Sequence, residues 1–200
     1  MRVSRFLWLC AIAVSLNGCA IFTTQQTETP HVAVAKGQMI NLPTPGQLNL
    51  NLSATQIVTA SYVIKGQTQS YSSEVHLEMT PEKLLMVAVS GWGGQLFSLS
   101  YTGNTIKSSS LPMPNANMGI EHTLTDFIFT YATTDLLTSI LAKTSIQLVV
   151  KPNQRLFLID NKPIMQIDYQ DFDPWKGKVI IHNYELNYAV IIQTIQTNRH

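Results

Sequence analysis

Tyr71-Ser72-Ser73-Glu74-Val75-His76-Leu77-Glu78-Met79 alternates with a period of two. Val75, Leu77 and Met79 fall on one side of an extended chain, and Glu74, His76 and Glu78 on the other. Successive side chains of a strand point to opposite faces, so this segment has one apolar face and one wet face. That pattern marks a half-buried strand of an antiparallel sheet. Thr80-Pro81-Glu82-Lys83 turns the chain. Leu84–Ser90 is then almost wholly apolar, as expected of a strand buried on both faces or central in a sheet.

The reading extends in both directions. Upstream, Ile57–Lys65 alternates and Gly66-Gln67 reads as a turn. Downstream, Gly91-Trp92-Gly93-Gly94 is a loop, and Gln95–Thr102 is a strand with Phe97, Leu99 and Tyr101 on one face. Gly103-Asn104 turns into Thr105–Leu111, and Pro112 to Asn117 breaks the sheet. Thr123 to Lys143 alone has helical spacing, with Phe127, Tyr131, Leu136, Leu137, Ile140 and Leu141 at three- and four-residue steps. Thr134 or Asp135 would cap a helix over 135–143. Strands resume at Ile146–Lys151 and Arg155–Asp160. Asn161-Lys162 turns the chain into Pro163–Tyr169. Val179–Asn183 and Tyr188–Thr197 follow Asp173-Pro174-Trp175-Lys176-Gly177. The expected fold is mainly β: about ten antiparallel strands at spacings near ten residues, curved into a half-barrel or barrel. Helices do not alternate with strands, which excludes a βαβ sheet.

The length of 200 residues bounds this to one domain. Charged residues make up 12%, about half the usual ~25%. Hydrophobic residues reach 45%, which excludes a disordered polyelectrolyte. The net charge of +1 excludes an overall basic footprint, so no nucleic-acid partner is expected. No apolar run reaches the ~18–20 residues of a spanning helix, which excludes a polytopic membrane protein.

Met1-Arg2-Val3-Ser4-Arg5 is a short positive segment, and Phe6 to Leu16 is an apolar stretch too short to span a bilayer. Leu16-Asn17-Gly18-Cys19 follows, and this resembles the lipobox of bacterial lipoproteins. The resemblance implies cleavage after residue 18 and acylation of Cys19. Several acyl chains anchor a protein stably where one is marginal. Ala20 after the Cys, rather than Asp, favours outer-membrane sorting, with the domain on the periplasmic face. Loss of Arg2 and Arg5 leaves 11 cations against 12 anions, a net charge of −1. Cys10 leaves with the signal, so no disulfide framework or cysteine-based metal site is expected. Residues 19–46 read as the lipidated Cys and a flexible tether, rich in Thr and Gln and interrupted by Pro30, Pro43 and Pro45. Residues 47–200 are the folded domain.

Three further segments carry a wider resemblance. They are Leu42-Pro43-Thr44-Pro45-Gly46-Gln47-Leu48 leading to Gln56–Ala60, Gly91-Trp92-Gly93-Gly94-Gln95-Leu96-Phe97-Ser98-Leu99, and Trp175–Val179 through Asn183, Tyr188, Val190, Ile192 and Thr194. Over about residues 40 to 197 the chain resembles uncharacterised bacterial outer-membrane lipoproteins often encoded beside aryl-polyene and fatty-acid-type synthesis genes. That family is in turn similar to the lipoprotein receptor LolB and its carrier LolA. The resemblance implies about eleven antiparallel strands bent into a half-barrel, with helices as a lid over a concave face that holds acyl chains. It also implies a membrane-contacting loop, which here falls on Gly91, Trp92 and Gly93. Trp replaces the Leu usual in the receptor, and its ring favours the bilayer interface.

Within that frame the expected cavity wall is Val75, Leu77 and Met79, then Leu85, Val87 and Val89, then Phe97, Leu99 and Tyr101, with Met165 and Ile167 opposite. Leu136, Leu137, Ile140 and Leu141 would form the lid. The histidines form no metal-spaced pair, no nucleophile elbow accompanies His122 and Asp126, and Asp171 and Asp173 lie in a turn. The expectation is therefore neither an enzyme nor a metal or cofactor protein. It is a lipid-anchored protein that binds acyl chains of a lipid, glycolipid or lipoprotein, an aryl-polyene lipid among them. It would aid their transfer to the outer membrane, with a periplasmic carrier protein as a partner. The alternative is an assembly lipoprotein with a filled core that docks another envelope protein.

Overall fold

The computed structural model describes residues 30–110 and 120–200. The signal segment, Cys19, the first part of the tether and the Pro112–Asn117 break lie outside the described residues. The elements run β1 (His31–Ala35), β2 (Gln38–Asn41), α1 (Pro45–Leu48), β3 (Leu52–Ile64), β4 (Gln67–Met79), β5 (Leu84–Val89), β6 (Gln95–Tyr101) and β7 (Ile106–Ser110). Then come α2 (Ile120–Tyr131), α3 (Thr134–Leu141), β8 (Gln147–Lys151), β9 (Gln154–Ile159), β10 (Lys162–Tyr169), β11 (Lys178–Asn183) and β12 (Tyr188–Arg199).

Ten strands form one antiparallel sheet in the order β7-β6-β5-β4-β3-β12-β11-β10-β9-β8. The fold is thus mainly β, an open antiparallel sheet with few helices. It consists of two five-stranded meanders, β3–β7 and β8–β12, joined where β12 pairs with β3 from Tyr188↔Tyr62 to Arg199↔Leu52. One end of the sheet carries the β3–β4 turn at Lys65-Gly66, the loop at Trp92 and the β11–β12 turn. The other carries Thr80–Lys83, Gly103 and the segment 170–177. Lys65 and Gly66 both have positive φ, at 51° and 78°, and this two-residue turn matches the twist of the flanking strands.

The helices fill most of the concavity. α2 is buried on every side from Leu124 to Tyr131, because the sheet lies on one face and the β1–β2 hairpin on the other. Its apolar residues Leu124, Phe127, Ile128, Phe129 and Tyr131 face both layers, and Thr125, Asp126 and Thr130 are enclosed with them. Its last carbonyls have no partner within the helix. Arg155 Nη1 donates to those of Phe129 and Thr130 at 2.7 and 3.1 Å, and Tyr169 Oη donates to Thr130 at 2.9 Å. Phe129 stacks on Phe157 at 4.5 Å, and Tyr131 on Trp175 at 4.0 Å. α3 begins at an N-cap Thr133, one residue before the expected cap.

From Pro30 onward the stretch expected to be tether is folded. Val32, Val34, Ile40 and Leu42 are all buried. Its prolines and polar residues masked a short alternation, Val32-Ala33-Val34, and a capped turn of helix. In that turn Gln47 N donates to Thr44 Oγ1 at 3.4 Å while Thr44 N donates to Gln47 Oε1 at 2.8 Å, with Pro45 at the first helical position. α1 packs against the Gly103 turn: a Cβ at Gly103 would lie 2.9 Å from Thr44 Cγ2.

Candidate functional site

A hollow of about 180 Å³ remains between α2 and the concave face, toward the Trp92 end. β3 contributes Gln56, Val58, Ala60 and Tyr62, and β4 contributes Tyr71, Ser73, Val75 and Leu77. Met86, Leu96 and Phe97 close one side; Ile181, Val190 and Ile192 close the other. α2 forms the roof with Thr123, Asp126, Phe127 and Tyr131.

The structure divides the expected wall into three groups. Val75, Leu77 and Phe97 line the hollow. Met79, Leu99, Tyr101, Met165 and Ile167 are buried on the same concave face but in its filled parts. Tyr101 shows why: its hydroxyl lies 3.0 Å from the Pro43 carbonyl and 3.2 Å from that of Gly103, so the segment leading into α1 plugs that end. Burial pushes its phenol up to about 12.

Leu85, Val87 and Val89 are on the wrong face. They pair with Glu78, His76 and Glu74 across the β4–β5 ladder, while Leu84, Met86 and Ala88 point inward. In a uniformly apolar strand parity is invisible, and a slip of one residue inverts every side chain. The expected lid residues do not cover the hollow either. Leu137 and Leu141 are buried and Leu136 and Ile140 half-buried, but α3 packs near β8 and β2 rather than over the hollow. The roof is α2.

The loop at Gly91, Trp92 and Gly93 is a tight turn. Gly93 N donates to Ser90 O at 2.8 Å, Ser90 N donates to Gly94 O at 2.8 Å, and Gly93 has φ +85°. Trp92 is 79% exposed. The benzo edge of its ring lies over Gly94, where an added Cβ would clash with Cζ3 and Cη2 of the indole. The loop directly precedes Leu96 and Phe97, and Val89 pairs with Glu74 of β4 next to Ser73. The exposed indole and the hollow therefore share one end of the sheet.

Sequence reasoning missed the polar residues of the hollow. Gln56 Nε2 donates to Tyr131 Oη at 2.8 Å and to Thr194 Oγ1 at 3.0 Å. Asp126 is buried, and the Tyr188 hydroxyl sits 2.8 and 2.9 Å from its two oxygens. Burial raises its carboxyl from 3.8 to about 7, although the Tyr188 hydrogen bond pulls the other way. Tyr188 is raised by its own burial and then by the Asp126 charge. The partner of Asp126 is thus Tyr188 of β12. Asp171 and Asp173 cap their own turn, accepting from Asp173 N at 2.9 Å and Trp175 N at 3.1 Å. Among the described residues no three His, Cys, Asp or Glu side chains converge as a metal site, and no helix is long and apolar enough to cross a membrane.

Residues 53–196 match the family described as "Protein of unknown function (DUF3261)", and the chain belongs to it. No curated protein matches the chain. Among solved structures, a LolA superfamily protein from Nitrosomonas europaea is similar at 6% identity and a TM-score of 0.39, over 80% of this chain and 94% of that one. An outer membrane lipoprotein-sorting protein domain, described as putative, from Vibrio parahaemolyticus is similar at 8% identity and a TM-score of 0.33, over 75% and 86%. A DUF1329 family protein from Desulfovibrio piger is similar at 6% identity and a TM-score of 0.29, over 78% and 88%.

Proposed function

We propose that this DUF3261 chain is a lipid-anchored protein on the periplasmic face of the outer membrane that takes an acyl chain into the hollow beneath α2 and helps transfer an amphiphilic cargo. One observation carries the reading: a mostly apolar hollow of about 180 Å³ lies at the same end of the sheet as an indole that is 79% exposed. An apolar cavity of ~150 Å³ is enough to bind benzene. The hollow therefore holds one terminal segment of an acyl chain, not a whole lipid. The guest enters end-on past the Trp92 rim, because α2 is enclosed by the hairpin and fastened at its last turn. Transfer needs no nucleotide. It runs down the gradient of buried apolar area, at roughly 25 cal/mol per Å².

Acylated Cys19 holds the domain at the bilayer. The cargo is a lipid, glycolipid or lipoprotein, an aryl-polyene lipid being the one the family resemblance favours, and a periplasmic carrier is the donor. The test is mass spectrometry of lipids that co-purify with the protein from envelope extracts. A bound single- or double-chain amphiphile is the expected result, and a ligand-free protein from lipid-rich extract overturns it. A second reading, docking of another envelope protein, draws support from the edge strand β8, where Val149 and Val150 are 38% and 47% exposed. Substitution of Val149 and Val150 by Lys would abolish docking but leave lipid capture intact.

A further inference from the structure

The hollow contains one group that an acyl chain does not explain. Apolar walls do not call for a buried carboxyl, and a charge without a partner is costly there. Among the described residues Arg199 forms an ion pair with Asp173, and His76 Nε2 lies 3.0 Å from Glu74; neither contact involves Asp126.

The hydrogen bonds around it run in one direction. Leu186 N donates to Asn183 Oδ1 at 2.8 Å, Asn183 Nδ2 lies 3.2 Å from Tyr188 Oη, and Tyr188 Oη reaches Asp126. Asn183 and Tyr188 are occupied by this chain. Gln56 spends both amide hydrogens on Tyr131 and Thr194. Tyr188 has a single proton to give, whereas a carboxyl group has four lone-pair sites. Asp126 therefore keeps unused hydrogen-bonding capacity on the wall of the hollow.

Resting on the acyl-binding reading above, we infer that Asp126, held by Tyr188, is a seat for the O–H head of a single-chain amphiphile, so that the head points inward and the tail runs toward Leu96 and Phe97. A hydroxyl or protonated carboxyl donates one hydrogen to the carboxyl and accepts one in return. An ester or ether cannot donate. An ammonium head needs three acceptors and loses more hydration than this hollow returns. The preference for the neutral Asp126 carboxyl agrees with a neutral guest.

The test uses two isomers, 1-octanol and 1-methoxyheptane, in equilibrium dialysis with the full-length protein. Passive partitioning favours the ether. The seat reverses this, with the alcohol bound about tenfold tighter, as expected when a buried polar group is left unpaired by the wrong analogue. Asp126→Leu removes the alcohol's advantage, so that the ether binds at least as tightly as the alcohol, without weakening the ether. Asp126→Asn, which still donates and accepts, keeps the preference and serves if the Leu variant does not fold. Equal affinities in the unaltered protein, a ratio that survives Asp126→Leu, or tighter binding of octylammonium overturns the seat while leaving acyl binding in place. Failure of both isomers to bind overturns the acyl reading as well. The shared O–H chemistry is resolved by a third ligand: octanoic acid binding better than octanol below pH 5 identifies a fatty acid, and the reverse a long-chain alcohol.

Discussion

Replacing Asp126 by Asn should flatten the pH dependence of folding stability. Asp126 holds its proton more tightly in the folded protein than in the unfolded chain, at about 7 against 3.8. The folded state therefore carries more protons between those values, and stability falls as pH rises through the interval. The contribution is fully present below pH 3.8 and lost once pH passes about 7. The interval, at roughly 1.4 kcal/mol per pH unit, is worth about 4 kcal/mol. The tyrosines facing the carboxyl, Tyr188 and Tyr62, are themselves raised and titrate well above the interval. His122, one turn away, is lowered by burial and produces an opposite slope below 6.5. Both proteins share that slope, so their difference isolates Asp126. The assay is urea unfolding of the two proteins at half-unit steps from pH 4 to 8, read as the change of midpoint at constant m. The unaltered protein should lose several kcal/mol relative to Asp126→Asn across the range. Parallel profiles would refute the burial argument.

Trp92→Glu should reduce flotation with anionic vesicles at least tenfold while changing unfolding free energy by no more than about 0.5 kcal/mol, since the side chain is largely in solvent. Phe172→Glu, equally exposed but at the opposite end of the sheet, should leave flotation unchanged, and an equal loss would remove the rim assignment. Gly94→Ala should shift the Trp92 indole N–H resonance without unfolding the domain, because the new methyl must push the ring aside. Phe157→Ala should cost about 3–5 kcal/mol in chemical denaturation by removing the partner of Phe129. Cys19→Ala should move the protein from the membrane to the soluble or uncleaved fraction, and unchanged fractionation would exclude the anchor.

Strand positions were legible because alternation and turns agree along most of the chain. Tyr71–Met79 placed its inner face correctly through Glu74, His76 and Glu78. Leu84–Val89 offered no polar residue to set parity. The missing signal lay across the ladder: its outward neighbours are Glu74, His76 and Glu78 on one side and Ser98 and Ser100 on the other. The turn before β10 sits at Asp160-Asn161, both with positive φ, one residue before the expected pair, because Asp tolerates the left-handed region as Asn does. The roof is not legible because α2 is buried on every side from Leu124 to Tyr131, with Thr125, Asp126 and Thr130 enclosed among its apolar residues, so no wet face marks which side meets the sheet. In the sequence Asp126 stands one helical turn from His122, but its hydrogen-bond partner Tyr188 is 62 positions away. No local pattern marks such a contact.

The pairing of β3 with β12 gives the chain an unusual order of commitment. A long ladder, from Tyr188↔Tyr62 to Arg199↔Leu52, unites the first strand of the large sheet with the last, and His200 N still donates to Asn51 O at 2.9 Å. Each meander can fold back on itself early, but neither can close the concavity alone. A ribosome or a translocation channel that has yet to release the final dozen residues holds two open ribbons, and the greasy hollow comes into being only when the tail arrives.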